Sequence, residues 1–114
     1  MSKVINFNSY RRPELILVFK DEASTVLHVT TPTEELVEEL RANLHEMQTA
    51  LTRQDEEASR MVYHLAAKLC SCNLDGRTFI GEELATKYGL NLEDMAMFFT
   101  AYVEFIESIE KAKN

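Results

Sequence analysis

Two thiols, a carboxylate and a glycine fall close together in the stretch CSCNLDGRTF, residues 70–79. Side chains of these types can hold a metal, exchange disulfides, bind a cation or simply make a turn. Redox pairs of the thioredoxin kind place two residues between their cysteines, and structural zinc sites usually add a second pair. Cys70 and Cys72 have one residue between them and are the only cysteines, while His28, His45 and His64 are scattered without ligand spacing. Calcium fits no better, because NLDG lacks the alternating oxygen ligands and the closing glutamate of a twelve-residue loop. The reading that remains is a helix end followed by an Asp-Gly turn, with one of the two cysteines half-buried.

Other chemistries find no better footing. Ser71 and the cysteines have no general base at an interpretable spacing, and three glycines are too few for a phosphate-cradling loop. The acidic runs EELVEEL and DEEAS read as solvated helix faces, not as a paired acid and base. No catalytic residue, metal or cofactor is therefore expected, and the chain is expected not to be an enzyme.

The elements that would position any site follow from the pattern of apolar residues. ELILVFK (14–20) and TVLHVT (25–30), with DEAS between them, read as a β-hairpin, and VINFN (4–8) is a candidate third strand. A capping box opens the helical part: Thr31 as N-cap, Pro32 at the first helical position and Glu34 three residues after the cap. Leu36, Leu40, Leu44, Met47 and Leu51 then form one helical face, and the pattern resumes with Met61, Val62, Leu65 and Leu69. The gap at residues 52–56 favours two helices over one. FIGEELATKYG reads as a short helix ended by Gly89, with Leu90 making the accompanying apolar contact. Asn91 caps a last helix, with Asp94 three residues on. The expected fold is α+β and mainly α: a hairpin of two or three strands, then three to four helices, the last amphipathic and aromatic-rich. One domain is expected over 1–114, with a small β element at 1–31 and a helical body at 32–114.

Composition sets limits on what such a domain meets. Of 114 residues, 46% are hydrophobic and 27% charged, an ordinary globular balance. No apolar run reaches the ~20 residues of a membrane span, and the N-terminus lacks the pattern of a secretory signal. A reducing cytoplasm is the expected setting, with both cysteines as thiols. The net charge is −7, and residues 32–60 hold eight acidic against three basic side chains. An acidic body repels phosphate, which argues against nucleic acid.

The last helix stands out. Met95, Phe98, Phe99, Tyr102, Phe105, Ile106 and Ile109 mark its apolar face, and Met97 and Val103 widen it. Plain core is one reading of this stripe. The other is that part of it takes a partner, since methionine and aromatic side chains suit surfaces that accept varied shapes. The candidate partner-binding residues are Met97, Phe98, Phe99, Tyr102 and Phe105, and self-association is expected.

The order of pieces resembles the tail assembly chaperones of long-tailed phages. The resemblance rests on TPTEELVEEL opening the helices and on NLDGRTFIGEELATKYGLNLEDMAMFFTAYVEFIESI. It implies a non-enzymatic role: binding the long, apolar, helical tape-measure protein and keeping it soluble while the tail tube assembles. It also implies the host cytoplasm as the setting, absence from the finished particle and contact with the tail-tube protein. A second length made by ribosomal frameshifting is a further implication, and AKN (112–114) can be encoded with a slippery heptamer. A small oligomeric adaptor of another kind is the competing expectation, and a metal protein or enzyme using Cys70, Cys72 and His64 is the third.

Overall fold

The structure, a computed structural model, describes residues 13–53 and 55–113. Strand β1 (Glu14–Val18) pairs antiparallel with β2 (Val26–Thr30), in register from Glu14 opposite Thr30 to Val18 opposite Val26. The Phe19 N–H donates to the Thr25 carbonyl at 2.8 Å and closes a loop of residues 20–24 that contains the expected DEAS. Asp21 organises this loop, accepting the Thr25 N–H at 2.9 Å and the Thr25 hydroxyl at 2.6 Å. These bonds hold the Asp21 carboxyl below the usual carboxylate range, with the Thr25 hydroxyl the largest cause. They also offset the strain of Ser24, whose φ of 48° is a left-handed conformation usually left to glycine. The candidate third strand at 4–8 lies outside the described residues.

A different segment completes the hairpin. The free edge of β2 takes up the chain just after the second helix. Thr30 N–H donates to the Cys72 carbonyl at 2.8 Å, Leu74 N–H donates to the His28 carbonyl at 2.9 Å, and Val29 bridges Asn73.

Four helices follow. α1 (Glu34–Arg53) begins two residues later than the sequence pattern places it, because Thr33, not Thr31, is the cap: its Oγ accepts the Leu36 N–H at 3.3 Å. Pro32 explains the shift. Its ring biases Thr31 toward extended backbone, continuing the direction of β2, and leaves the next hydroxyl to cap. The helical pattern does break as expected. Asp55 caps α2 (Glu56–Cys70), accepting the Ala58 N–H at 2.7 Å. α1 and α2 pack side by side, and Lys68 reaches Glu39 across them at 2.9 Å.

α3 (Gly81–Thr86) ends where Gly89, at φ 66°, turns the chain so that the Leu90 N–H reaches the Leu84 carbonyl at 2.9 Å. α4 (Leu92–Lys113) opens with a reciprocal box: Asp94 N–H to Asn91 Oδ1 at 2.9 Å, and Asn91 N–H to Asp94 at 2.8 Å. Lys20 pairs with Asp94 at 2.5 Å, so the hairpin loop is held against the start of α4. That ion pair is the largest cause of a lowered Asp94 pKa.

α2 is the hub, touching α1, α3, α4 and β2. Val62, Leu65, Ala66 and Leu69 of α2 are buried against the inward residues of β2, Leu27 and Val29, and the Met95, Phe99 and Tyr102 side of α4. Tyr102 is fully buried, and its hydroxyl has no hydrogen-bond partner among the described residues. Burial, with the nearby thiols of Cys72 and Cys70, pushes its pKa upward. A buried donor left unmade costs about 1–3 kcal/mol, whereas removing it in place costs little. Tyr102→Phe is therefore expected to stabilise the fold by about 1 kcal/mol. Urea unfolding checks this, and a loss of stability would show that the hydroxyl has a partner.

Candidate partner-binding surface

The structure divides the five candidate residues of α4. Phe98, Phe99 and Tyr102 are buried, and Phe105 is half-buried. Their rings form a chain, with centroids 5.2 Å apart for Phe98–Phe99, 5.5 Å for Phe98–Tyr102 and 6.0 Å for Tyr102–Phe105. The wide stripe is thus mostly core, and Phe98, Phe99 and Tyr102 present no surface to a partner in this conformation. The reason is that α2 and the rest of the core cover more of a 22-residue helix than its own pattern reveals. Met97 alone projects, 73% exposed, among Glu93, Ala96, Thr100, Ala101 and Glu104. One methionine among small and acidic neighbours is not an apolar flank.

Apart from Ile80, which stands alone before α3, the other exposed large apolar residues lie on the hairpin and the segment paired with it. In a strand successive side chains alternate between faces. Leu15 and Leu17 therefore turn inward with Leu27 and Val29, while Ile16 and Val18 turn outward with Val26 and His28. Ile16 is 55% exposed, Val18 66% and Val26 44%. Leu74, 66% exposed, extends the patch beside His28 through the bridge to β2. Isolated exposed aliphatic residues are unremarkable, but four on three adjacent chain segments form a patch of the kind that marks an interaction site.

The CSCNLDG stretch positions the far side of this patch, and Asn73 is its organiser. Its Oδ1 accepts the N–H of Asp75 at 2.9 Å and of Arg77 at 3.1 Å. Its Nδ2 donates to the carbonyls of Cys70 and Arg77, both at 2.8 Å. Gly76, at φ 66°, lets the turn close. Ser71 helps, donating to the Ala67 carbonyl at 2.7 Å and accepting the Phe79 N–H at 2.9 Å. Asp75 then clips the turn to the sheet: its carboxylate accepts the His28 backbone N–H at 2.8 Å and lies 3.2 Å from His28 Nδ1. The side chain supplies the acceptor that a longer third strand would have offered from its backbone. The backbone bond from His28 is the main reason the Asp75 carboxyl is held below the usual range.

A histidine beside a carboxylate resembles part of a catalytic constellation, but every hydrogen bond of this pair goes toward holding the turn. The thiols point the same way. Cys70 is buried at the end of α2, and desolvation pushes its pKa up to about 12, far from the depressed values of reactive thiols. Cys72 Sγ leans on the Lys68 carbonyl at 3.9 Å. The stretch is the turn that its sequence suggested, with a structural task. Among the described residues no group of three or more potential ligands is placed to hold a metal. No described helix is long and apolar enough to cross a membrane.

Sequence reasoning missed Ile16, Val18, Val26 and Leu74 as surface residues. A signal was present: ELILVF is apolar at successive positions, the mark of a strand covered on both faces or needing cover on the second. Comparison with protein-family models, curated proteins and solved structures returns no match.

Proposed function

We propose that this chain works by holding another polypeptide, as a chaperone whose client is the apolar, helix-forming tape-measure protein of a long-tailed phage. The observation that carries the reading is the outward sheet face of Ile16, Val18, Val26 and Leu74 on an acidic chain of net charge −7. Its width suits a helix. Two strands and a bridging segment, about 4.8 Å apart, make a platform about 10 Å across, close to the diameter of one α-helix. An apolar helix laid there buries its stripe against aliphatic side chains, and the acidic remainder keeps the complex in solution. Release when the tail tube closes on the client requires moderate affinity, which a shallow open face provides better than a deep pocket. The client's identity rests on the resemblance of the NLDGRTFIGEELATKYG and AYVEFI segments to tail assembly chaperones.

Co-expression with the tape-measure protein that the resemblance expects to be encoded downstream tests this. The wild-type chain is expected to carry the client into the soluble fraction. Ile16→Asp with Leu74→Asp is expected to lower that yield about tenfold or more, since charges at a desolvated contact are poorly tolerated. Both positions are exposed, so the variant's melting temperature serves as the control for folding. A client that stays insoluble with the wild type, or stays soluble with the double variant, would overturn the proposal.

A further inference from the structure

The outer edge of β1 carries a second reading, independent of what sits on the sheet face. Hydrogen-bond alternation fixes which backbone groups point where. Phe19 N–H is directed at β2, so Leu17 and Leu15 are too, and the backbone groups of Glu14, Ile16 and Val18 point away. β2 confirms the phase, because His28 and Thr30 use their outward groups on the 72–74 segment. Among the described residues no strand lies on the far side of β1. Proteins normally blunt such an edge with lysine, proline, a bulge or an inward charge. Here Pro13 stands before the strand, but the centre of the edge is Ile-Leu-Val.

The residues along this edge are complementary to themselves. We infer that β1 pairs antiparallel with β1 of a second copy, about a two-fold axis through Leu17, and that this edge is the chain's self-association surface. Outward-directed residues must face one another across such a ladder, which allows only even offsets. The register that overlaps all of ELILVFK sets Glu14 opposite Lys20 of the second copy, Ile16 opposite Val18, and Leu17 opposite Leu17. Each of the two ion pairs then flanks an aliphatic centre, and both recur by symmetry, as an isologous interface requires. Glu14 and Lys20 are both exposed, and Lys20 also pairs with Asp94. On the inner face Leu15 and Leu17, only half-buried in one copy, gain the neighbours that Leu27 and Val29 already have. The charge match selects a second copy over an arbitrary strand. The expected self-association thus moves from the aromatic residues of α4 to the hairpin.

Sedimentation velocity over a wide concentration range, with amide hydrogen exchange, tests the pairing. Wild type is expected to dimerise, and the amides of Ile16 and Val18 are expected to slow as concentration rises. Glu14→Lys sets like charges opposite each other twice and is expected to weaken association about tenfold. Glu14→Lys with Lys20→Glu restores the match and is expected to recover most of that loss relative to Lys20→Glu alone, which also gives up Asp94. Val18→Lys, at a side chain already exposed, is expected to leave a folded monomer with an unchanged melting temperature. A wild-type monomer throughout, association indifferent to Glu14→Lys, or Ile16 and Val18 amides that ignore concentration would each overturn it. The readout involves no client, so its failure would leave the proposed function standing, and the reverse.

Discussion

Gly81→Ala is expected to destabilise the fold, reversing the usual effect of that exchange in a helix. Alanine normally gains about 1 kcal/mol over glycine there. At Gly81, however, the first residue of α3 lies against the backbone of α2. An added Cβ would sit 3.0 Å from His64 N, 3.0 Å from the Tyr63 carbonyl carbon and 3.1 Å from His64 Cα. None of these atoms belongs to a side chain that can swing aside, and all lie within a hydrogen-bonded helix. α3 must back away, loosening Leu84 from the core and unsettling the cluster of Phe19, Phe79 and Tyr88, whose ring centroids lie 4.8–5.8 Å apart. Forced overpacking of this kind costs about 1–3 kcal/mol, which outweighs the propensity gain. Gly81→Val is expected to cost more, since β-branching adds bulk at the same contact. Chemical denaturation of the two variants checks the order; a Gly81→Ala protein as stable as wild type would show that the helices separate freely.

Asn73→Ala is expected to cost about 2–4 kcal/mol, taking four hydrogen bonds at about 0.5–1 kcal/mol each. The loss is not confined to the turn. Without Asn73 the turn that carries Asp75 and Leu74 to β2 is held only by its bonds to Thr30 and His28, so the proposed client surface is expected to weaken along with stability. Asn73→Asp separates the contributions. It keeps the Oδ1 acceptor for Asp75 and Arg77 but turns a donor into a carboxylate oxygen facing the carbonyls of Cys70 and Arg77. It is expected to be no better than Asn73→Ala above the carboxylate range and to recover partly in acid, when a proton restores one donor. Melting temperatures at neutral and acidic pH distinguish this from a site needing only the acceptor.

Much of the architecture was legible because local chemistry determined it. The break between α1 and α2 showed as a lapse in spacing, and Asp55 and Asn91 cap where their side chains reach the first free N–H groups. The misplaced start of α1 has the same origin. Thr31 and Thr33 are equally good caps, and only the run of the chain out of β2 decides between them. The surface was less legible for a different reason. Periodicity says which residues of α4 face together but not what covers them, so Phe98, Phe99 and Tyr102 read alike as core or as interface. Leu74 could not be placed at all from its neighbours in sequence, since its exposure beside His28 depends on a bridge between distant segments. The doubled apolar pattern of β1 was the available clue, and it pointed to the sheet.

The clasp between His28 and Asp75 spans 47 residues of chain. A ribosome delivers the hairpin first, and it must wait for α1, α2 and the turn beyond them before its second edge is closed. Throughout that interval the outer border of β2 lacks the segment that later pairs with it. The molecule closes that border of its sheet only after α2 has been made, and any extended segment nearby competes for it until then.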